Sequence, residues 1–325
     1  MKYFRYGFLL SLFVVLFATA ALCATDNYPS KSVLMIVPFA PGASTDITAR
    51  TVAEKLTEAW KQPVVVENRP GASGNIGTDM VAKAAPDGYT LIMGAIGTHA
   101  TNVSLYKKMP YDTLNDFAPV AHVSNVSLVL VVHPSLKVNS VKELIAYAKA
   151  NPGKLTYASG GNGASQHLAM ELFKSMTGTD MLHIPYKGSA PSLSDLLGGR
   201  VQLMFADMPL VLSHIKSGTL RALSVGDLKR SPALPDVPTT AEAGLVGYQA
   251  AAWYGVFAPA RTPKEIVTKL NREIVKLLTL DDVKTRFASL GAQAVGGSPE
   301  DFRRFQESEM QRWAKVIKAA NITIE

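Results

Sequence analysis

The sequence predicts an α/β protein of two blocks, each a mainly parallel sheet flanked by helices. Three observations carry that expectation. Strand-like and helix-like segments alternate from residue 33 onward, the order that builds parallel βαβ units. Two glycine-rich turns, at 38–46 and 71–77, each lie between a strand pattern and a helix pattern. A second alternating block begins near residue 126 and ends near 226, so the chain crosses between blocks twice.

The first strand is 33–37, followed by a helix whose apolar positions Ala49, Val52, Ala53, Leu56, Ala59 and Trp60 recur at helical spacing. A strand over 63–67 leads to the second glycine turn and a short helix with Ile76, Met80 and Val81. The Pro86-Asp-Gly88 turn precedes a strand over 89–93. Residues 126–132 form a strand ended by His133-Pro134. Ser140 caps the next helix with Glu143 in the capping-box position, and Asn151-Pro-Gly153 stops it. Strands over 155–158, 181–184, 201–205 and 220–225 alternate with helices over 165–177, up to Leu197 and around 209–217. Pro-rich text from Ser231 to Pro238 reads as a linker, and the remainder as helical, with starts at Pro263 and Pro299.

A chain of 325 residues has room for about two domains at ~150 residues each. The first 24 residues stand apart: Lys2 and Arg5, then an apolar stretch from Gly7 to Leu22, then small residues. That layout predicts a cleaved signal peptide and a periplasmic mature chain. Cys23 is the only cysteine, so cleavage after it leaves neither disulfide nor thiol chemistry. The net charge of +7 is spread over scattered Lys and Arg with no aromatic-interleaved basic run, which argues against nucleic-acid binding. A modest positive field suits an anionic ligand.

A strand that turns through glycine into a helix start presents unpaired backbone N–H groups, a ready site for a carboxylate or phosphate. Loop 38–46 adds the hydroxyls of Ser44 and Thr45, any of which, with Asp46, could instead cap the helix. Asp46 would repel an anion, so it is either a cap or a reader of an amine-bearing group. Loop 71–77 has the spacing G-x-x-G-x-x-G, which is not the dinucleotide fingerprint. Loop 159–165, in the second block, also leads into a helix, so opposed helix starts could hold two ends of a dicarboxylate. His167 and Glu171 are four apart but lack a third metal ligand nearby, and no metal or cofactor is expected. No G-x-S-x-G elbow or Walker lysine is present, so the expected class is not an enzyme.

Several motifs then carry a resemblance. Pro38-Phe-x-Pro-Gly-x-x-Thr-Asp46, Glu67-Asn-Arg-Pro-Gly-Ala-x-Gly-Asn-Ile-Gly77, Ala85-Pro-Asp-Gly-Tyr-Thr90, Gly163-Ala-Ser-x-His-Leu-Ala169, Pro185-Tyr-Lys-Gly-x-x-Pro191 and Trp253-Tyr-Gly255 resemble the Bug receptors. These are TctC-like solute-binding components of tripartite tricarboxylate transporters. The resemblance implies a two-lobed periplasmic-binding-protein fold of type II, a Venus flytrap, with 25–124 and 228–325 in one lobe and 125–227 in the other. It implies a monomer that holds a small carboxylate, partly through bridging water, and passes it to two membrane subunits of a transporter. The contact residues it implies are Phe39, Ser44, Thr45, Asp46, Ala72, Ser73, Gly74, Asn75, Thr98 and His99 in the first lobe. In the second they are Ser159, Gly163, Ser165, His167, Tyr186 and Asp207. Ala43, Ser44 and Ser73 stand where the family commonly has glycine. A sensor partner for a two-component system, and a periplasmic hydrolase, are the alternative readings.

Overall fold

The computed structural model describes residues 28–289, 291–320 and 322–323; the expected signal peptide lies outside them. Ten strands follow in order: β1 (Val33–Val37), β2 (Val64–Asn68), β3 (Thr90–Ala95), β4 (Phe117–Val132), β5 (Thr156–Ser159), β6 (Leu182–Pro185), β7 (Leu203–Asp207), β8 (Arg221–Val225), β9 (Ala251–Pro259) and β10 (Ala292–Gly296). The helices are α1 (Ser44–Trp60), α2 (Asn75–Ala82), α3 (Asn102–Leu105), α4 (Val141–Ala150), α5 (Ser165–Thr177), α6 (Ser189–Leu197), α7 (Met208–Lys216), α8 (Lys264–Leu278), α9 (Asp281–Ser289) and α10 (Pro299–Ala319).

The strand order is β2-β1-β3-β9-β4-β7-β5-β6, with β8 and β10 also paired to β4. The expected parallel pairing holds at both flanks: β1 with β2 and β3, and β5 with β6 and β7. Around β4 the pairing is antiparallel, to β9 and β10 over its first part and to β7 and β8 over its last. The sequence pattern missed the first part of β4, and also β9 and β10, where helix or loop was expected. β4 is buried on both faces, so its residues give no polar alternation to read.

Each strand sends alternate residues to opposite faces. In β1, Val33, Met35 and Val37 join one core with Val52, Leu56 and Leu270, whereas Ile36 joins another. In β4, Val129 and Val131 face Met204 and Val211, while Leu128, Leu130 and Val132 face Phe173 and Phe205. The core that contains Ile36 and Phe205 is continuous across both halves of the molecule, and α10 reaches into it through Phe302, Trp313 and Ile317. The buried Trp313 indole N–H is satisfied by Glu309 Oε2 at 2.9 Å.

The chain leaves the first sheet along β4. Residues 228–250 stay with the second sheet: Leu234 lies in its core, Thr240 N donates to Val225 O at 2.8 Å, and the Tyr248 hydroxyl donates to Ala169 O at 2.8 Å. The return is β9, and the two crossing segments are paired neighbours, Ser127 opposite Ala251 and Val126 opposite Ala252. Gly226 is held between them: its N–H donates to Leu128 O at 2.7 Å and its carbonyl accepts from Ala250 N at 2.8 Å.

A Cβ at Gly226 would collide with the Ala250 carbonyl, a backbone atom fixed by that same pairing. Gly226→Ala is therefore expected to destabilise the protein by ~1–3 kcal/mol, the usual cost of overpacking. A urea unfolding midpoint indistinguishable from wild type would contradict this.

Candidate functional site

Helix α1 starts without a side-chain cap. Its N-cap is Ala43, with extended φ and ψ of −69° and 158°, and no side chain closes onto the first N–H groups. The same holds for α5, whose N-cap is Ala164. Capping by Ser44, Thr45 or Asp46, open on the sequence alone, is not what the structure has. Asp46 instead turns back to the loop before the helix. Its carboxylate accepts from Gly42 N at 2.9 Å, Asn68 Nδ2 at 2.9 Å and Arg50 Nε at 3.0 Å. Asn68 Nδ2 also reaches Phe39 O at 3.0 Å, so one buried carboxylate fixes both sides of loop 38–43. Burial alone would raise its pKa; the hydrogen bonds from Arg50, Gly42 and Asn68 outweigh that and hold it below the usual value. The negative charge that looked hostile to an anion is thus neutralised by Arg50.

Three loops of the first lobe meet at Gly74. A Cβ there would lie 2.6 Å from Thr98 Cγ2 and 3.2 Å from Phe39 Cζ, and φ is +89°. The preceding Ala72 and Ser73 also have positive φ, 47° and 53°. Non-glycine residues in that region are strained, by ~1–2 kcal/mol each. A glycine at position 73 would carry no such strain. Asn75 points into the protein, its Oδ1 accepting from Asn102 Nδ2 at 2.7 Å and from the Tyr111 hydroxyl at 2.9 Å.

Thr98 and His99 are turned inward. The Thr98 hydroxyl is closed onto Ala95 O at 3.2 Å and His99 Nδ1 at 2.8 Å. His99 is 0% exposed and stacks on Phe257, with centroids 3.9 Å apart and Phe117 against its edge. The ring is enclosed by core aromatic residues. Tyr186 is also drawn aside: its hydroxyl donates to Asp195 Oδ2 at 2.7 Å within the second lobe.

In the second lobe, Ser159 Oγ lies 2.6 Å from His183 Nε2, donates to Gly161 O at 3.1 Å and accepts from Gly161 N at 3.2 Å. His183 stacks on His167 at 3.9 Å and on Tyr157 at 4.8 Å. His167 Nδ1 accepts from Gly163 N at 3.1 Å, so its proton is on Nε2. The column ends at Glu171 Oε1, which accepts from Tyr157 at 2.5 Å and Lys174 at 2.7 Å. Sequence reading found Ser159 and His167 but missed His183, because pairing across β5 and β6 brings it in. Burial, with neighbouring His167, pushes His183 down to about 3, which makes it a poor general base for Ser159.

The two sets of loops touch. Ser73 Oγ donates to Asn162 O and Thr101 Oγ1 to Gly163 O, each at 3.5 Å. Ser44 lies beside Asp207, and Ser44 and Thr45 lie beside the buried Tyr254 hydroxyl. Tyr254 and Gln166, which sequence reading did not select, lie at the same junction. Surface cavities of about 640 Å³ near Tyr111–Asp116 and about 350 Å³ near Ser140 lie away from this junction.

Paired lobes joined by two crossing strands, with uncapped helix starts at the junction, define the two-lobed solute-binding receptors. The sequence profile of the Tripartite tricarboxylate transporter family receptor matches residues 48–322. Protein BugT of Bordetella pertussis is 45% identical over 314 residues, 95% of this chain and 96% of that one. An R. palustris protein solved with adipate has a TM-score of 0.87 and 44% identity, covering 91% of this chain and 99% of its own. MatC from Rhodopseudomonas palustris, solved with bound malate, has a TM-score of 0.82 and 34% identity, covering 89% and 100%. This chain belongs to the tripartite tricarboxylate transporter receptor family.

Two outcomes follow from these geometries. Asp46→Ala strands the Gly42 and Asn68 donors and is expected to cost ~1.5–3 kcal/mol at pH 7. Because the folded carboxyl titrates below 3.8, its contribution is present above that pH and lost below it. The gap between mutant and wild-type urea midpoints should therefore narrow at pH 3.

Four histidines are held neutral mainly by burial: His99 and His183 at about 3, His122 and His167 at about 4. Their folded values lie below the unfolded 6.5, so their contribution is complete above pH 6.5 and falls as pH drops toward 4. Asp207, raised to about 6, and Asp227, also raised by burial, work in the opposite sense but are two groups against four. Unfolding midpoints measured from pH 7.5 to 5 should decline, and His99→Leu should flatten the decline.

Proposed function

We propose that this protein is a periplasmic, non-enzymatic receptor that closes two lobes on a small carboxylate and passes it to the membrane subunits of a tripartite transporter. The observation that carries this reading is the meeting of two uncapped helix starts, α1 and α5, where the loops of both lobes touch. Free N–H groups at a helix start favour an anion. The relatives solved with adipate and malate support small carboxylates as the solute class. Among the described residues no helix is long and apolar enough to cross a membrane.

The lobes divide at β4 and β9: residues 25–124 with 251–325, and residues 125–250. Support comes from the pairing of β4, which changes partners after Ser127, and from the packing of 228–250 on the second sheet. Ser44, Thr45 and loop 71–75 face loop 159–165, Ser165 and His167 across the junction, with water bridging the carboxylate. Bridged contacts need not be weak. Closure would twist the paired β4–β9 ribbon as a hinge. The protein acts as a monomer.

A thermal-shift screen of the mature chain against mono- and dicarboxylates, amino acids and aromatic acids tests the reading. A solute at ~100 times its dissociation constant should stabilise the folded state by ~2.7 kcal/mol. No shift with any member of that panel would overturn it.

A further inference from the structure

Two buried oxygens at the junction have no hydrogen-bond partner, Asp207 Oδ1 and Gln166 Oε1. Asp207 ends β7 and is 6% exposed; Gln166 lies in the first turn of α5 and is 4% exposed. Gln166 Nε2 donates to Asp207 Oδ2 at 3.0 Å and to Ser189 Oγ at 3.2 Å. That contact fixes the amide, since the flipped amide would set its oxygen against the carboxylate. Its own oxygen is then left as an acceptor.

Ser44 and Tyr254, from the first lobe, approach the same carboxylate from across the junction. Asp207 therefore faces the cleft. Its polar neighbours among the described residues, Gln166, Ser44 and Tyr254, are all neutral. A buried carboxylate without a counter-charge is costly, and burial pushes this one up to about 6. The other buried carboxylates of the site are paired: Asp46 with Arg50 and Glu171 with Lys174. Asp207 has nothing equivalent.

We propose that the missing positive charge belongs to the solute: Asp207 and Gln166 Oε1 receive an ammonium group while the carboxylate of the same molecule lies at the start of α1. The solute is then an amino-bearing carboxylate rather than a plain dicarboxylate, whose second anionic end would meet Asp207. Ammonium is favoured over hydroxyl because a hydroxyl supplies a donor but no counter-charge. The inference rests on the receptor reading above.

The test is calorimetric titration of the mature chain at pH 7.5 with matched pairs: aspartate against succinate, and 6-aminohexanoate against adipate. In at least one pair the amino-bearing member should bind ~10-fold tighter or more. Asp207→Asn, with its melting temperature checked, should weaken that member by ~10-fold or more and leave its partner no weaker. If the amine-free acid binds as tightly or tighter in both pairs to the unaltered protein, the assignment of Asp207 is overturned and the receptor reading stands. If no carboxylate of any kind binds, the receptor reading falls and this inference with it.

Discussion

The pairing of β4 with β9 is the constraint on which the rest depends. These two strands are the chain's crossings between lobes, and they lie side by side, Ser127 opposite Ala251. Because the crossings are neighbours in one ladder, the two halves are held at a fixed register. The ends of the strands in each lobe then point their loops at the same place. Loops 38–43, 71–75 and 159–165 converge for this reason, although they lie far apart in sequence. Gly226, wedged between Leu128 and Ala250, shows how tightly the crossing is packed.

On the proposed receptor reading, the first lobe offers an anion site without aiming a guanidinium at the solute. Arg50 serves Asp46, and Asp46 holds the loop open so that the start of α1 stays uncapped. Positive potential at the junction therefore comes from backbone N–H groups whose positions are set by buried side chains. Such donors need little rearrangement when a solute arrives. The strain at Ala72 and Ser73 belongs to the same arrangement, since those residues carry loop 71–74 into contact with Phe39 and Thr98 around Gly74.

The second lobe is built differently. Its loop 159–165 is backed by stacked rings, His167 on His183 on Tyr157, and by the Glu171–Lys174 pair. Stacking at 3.9 Å is tolerable because burial keeps both imidazoles neutral. Ser159 joins the column to the loop backbone. The chemistry that sequence reading attached to Ser159 and His167 as separate contacts is thus one packed unit, with Asp207 and Gln166 beside it as the unpaired acceptors.

Much of this was legible beforehand, and the limits have a physical cause. Alternating apolar patterns and glycine turns locate β1, α1 and α5 to within a residue or two, because periodicity and turn chemistry are local. The motifs shared with the receptor family also fix family and fold. What sequence could not locate depends on partners far along the chain. The first part of β4, with β9 and β10, is strand only because each supplies the others' hydrogen bonds. His99 reads as a loop residue until Phe257 closes over it. Residues 228–250 pack on the second sheet because Leu234 and Tyr248 find their burial there. By itself the sequence determined the family, the glycine loops at the helix starts and most of the elements that are written in neighbouring residues. Only the tertiary structure decided which side chains lie at the junction of the lobes and which are drawn into the core, because that follows from which distant partner each polar atom meets.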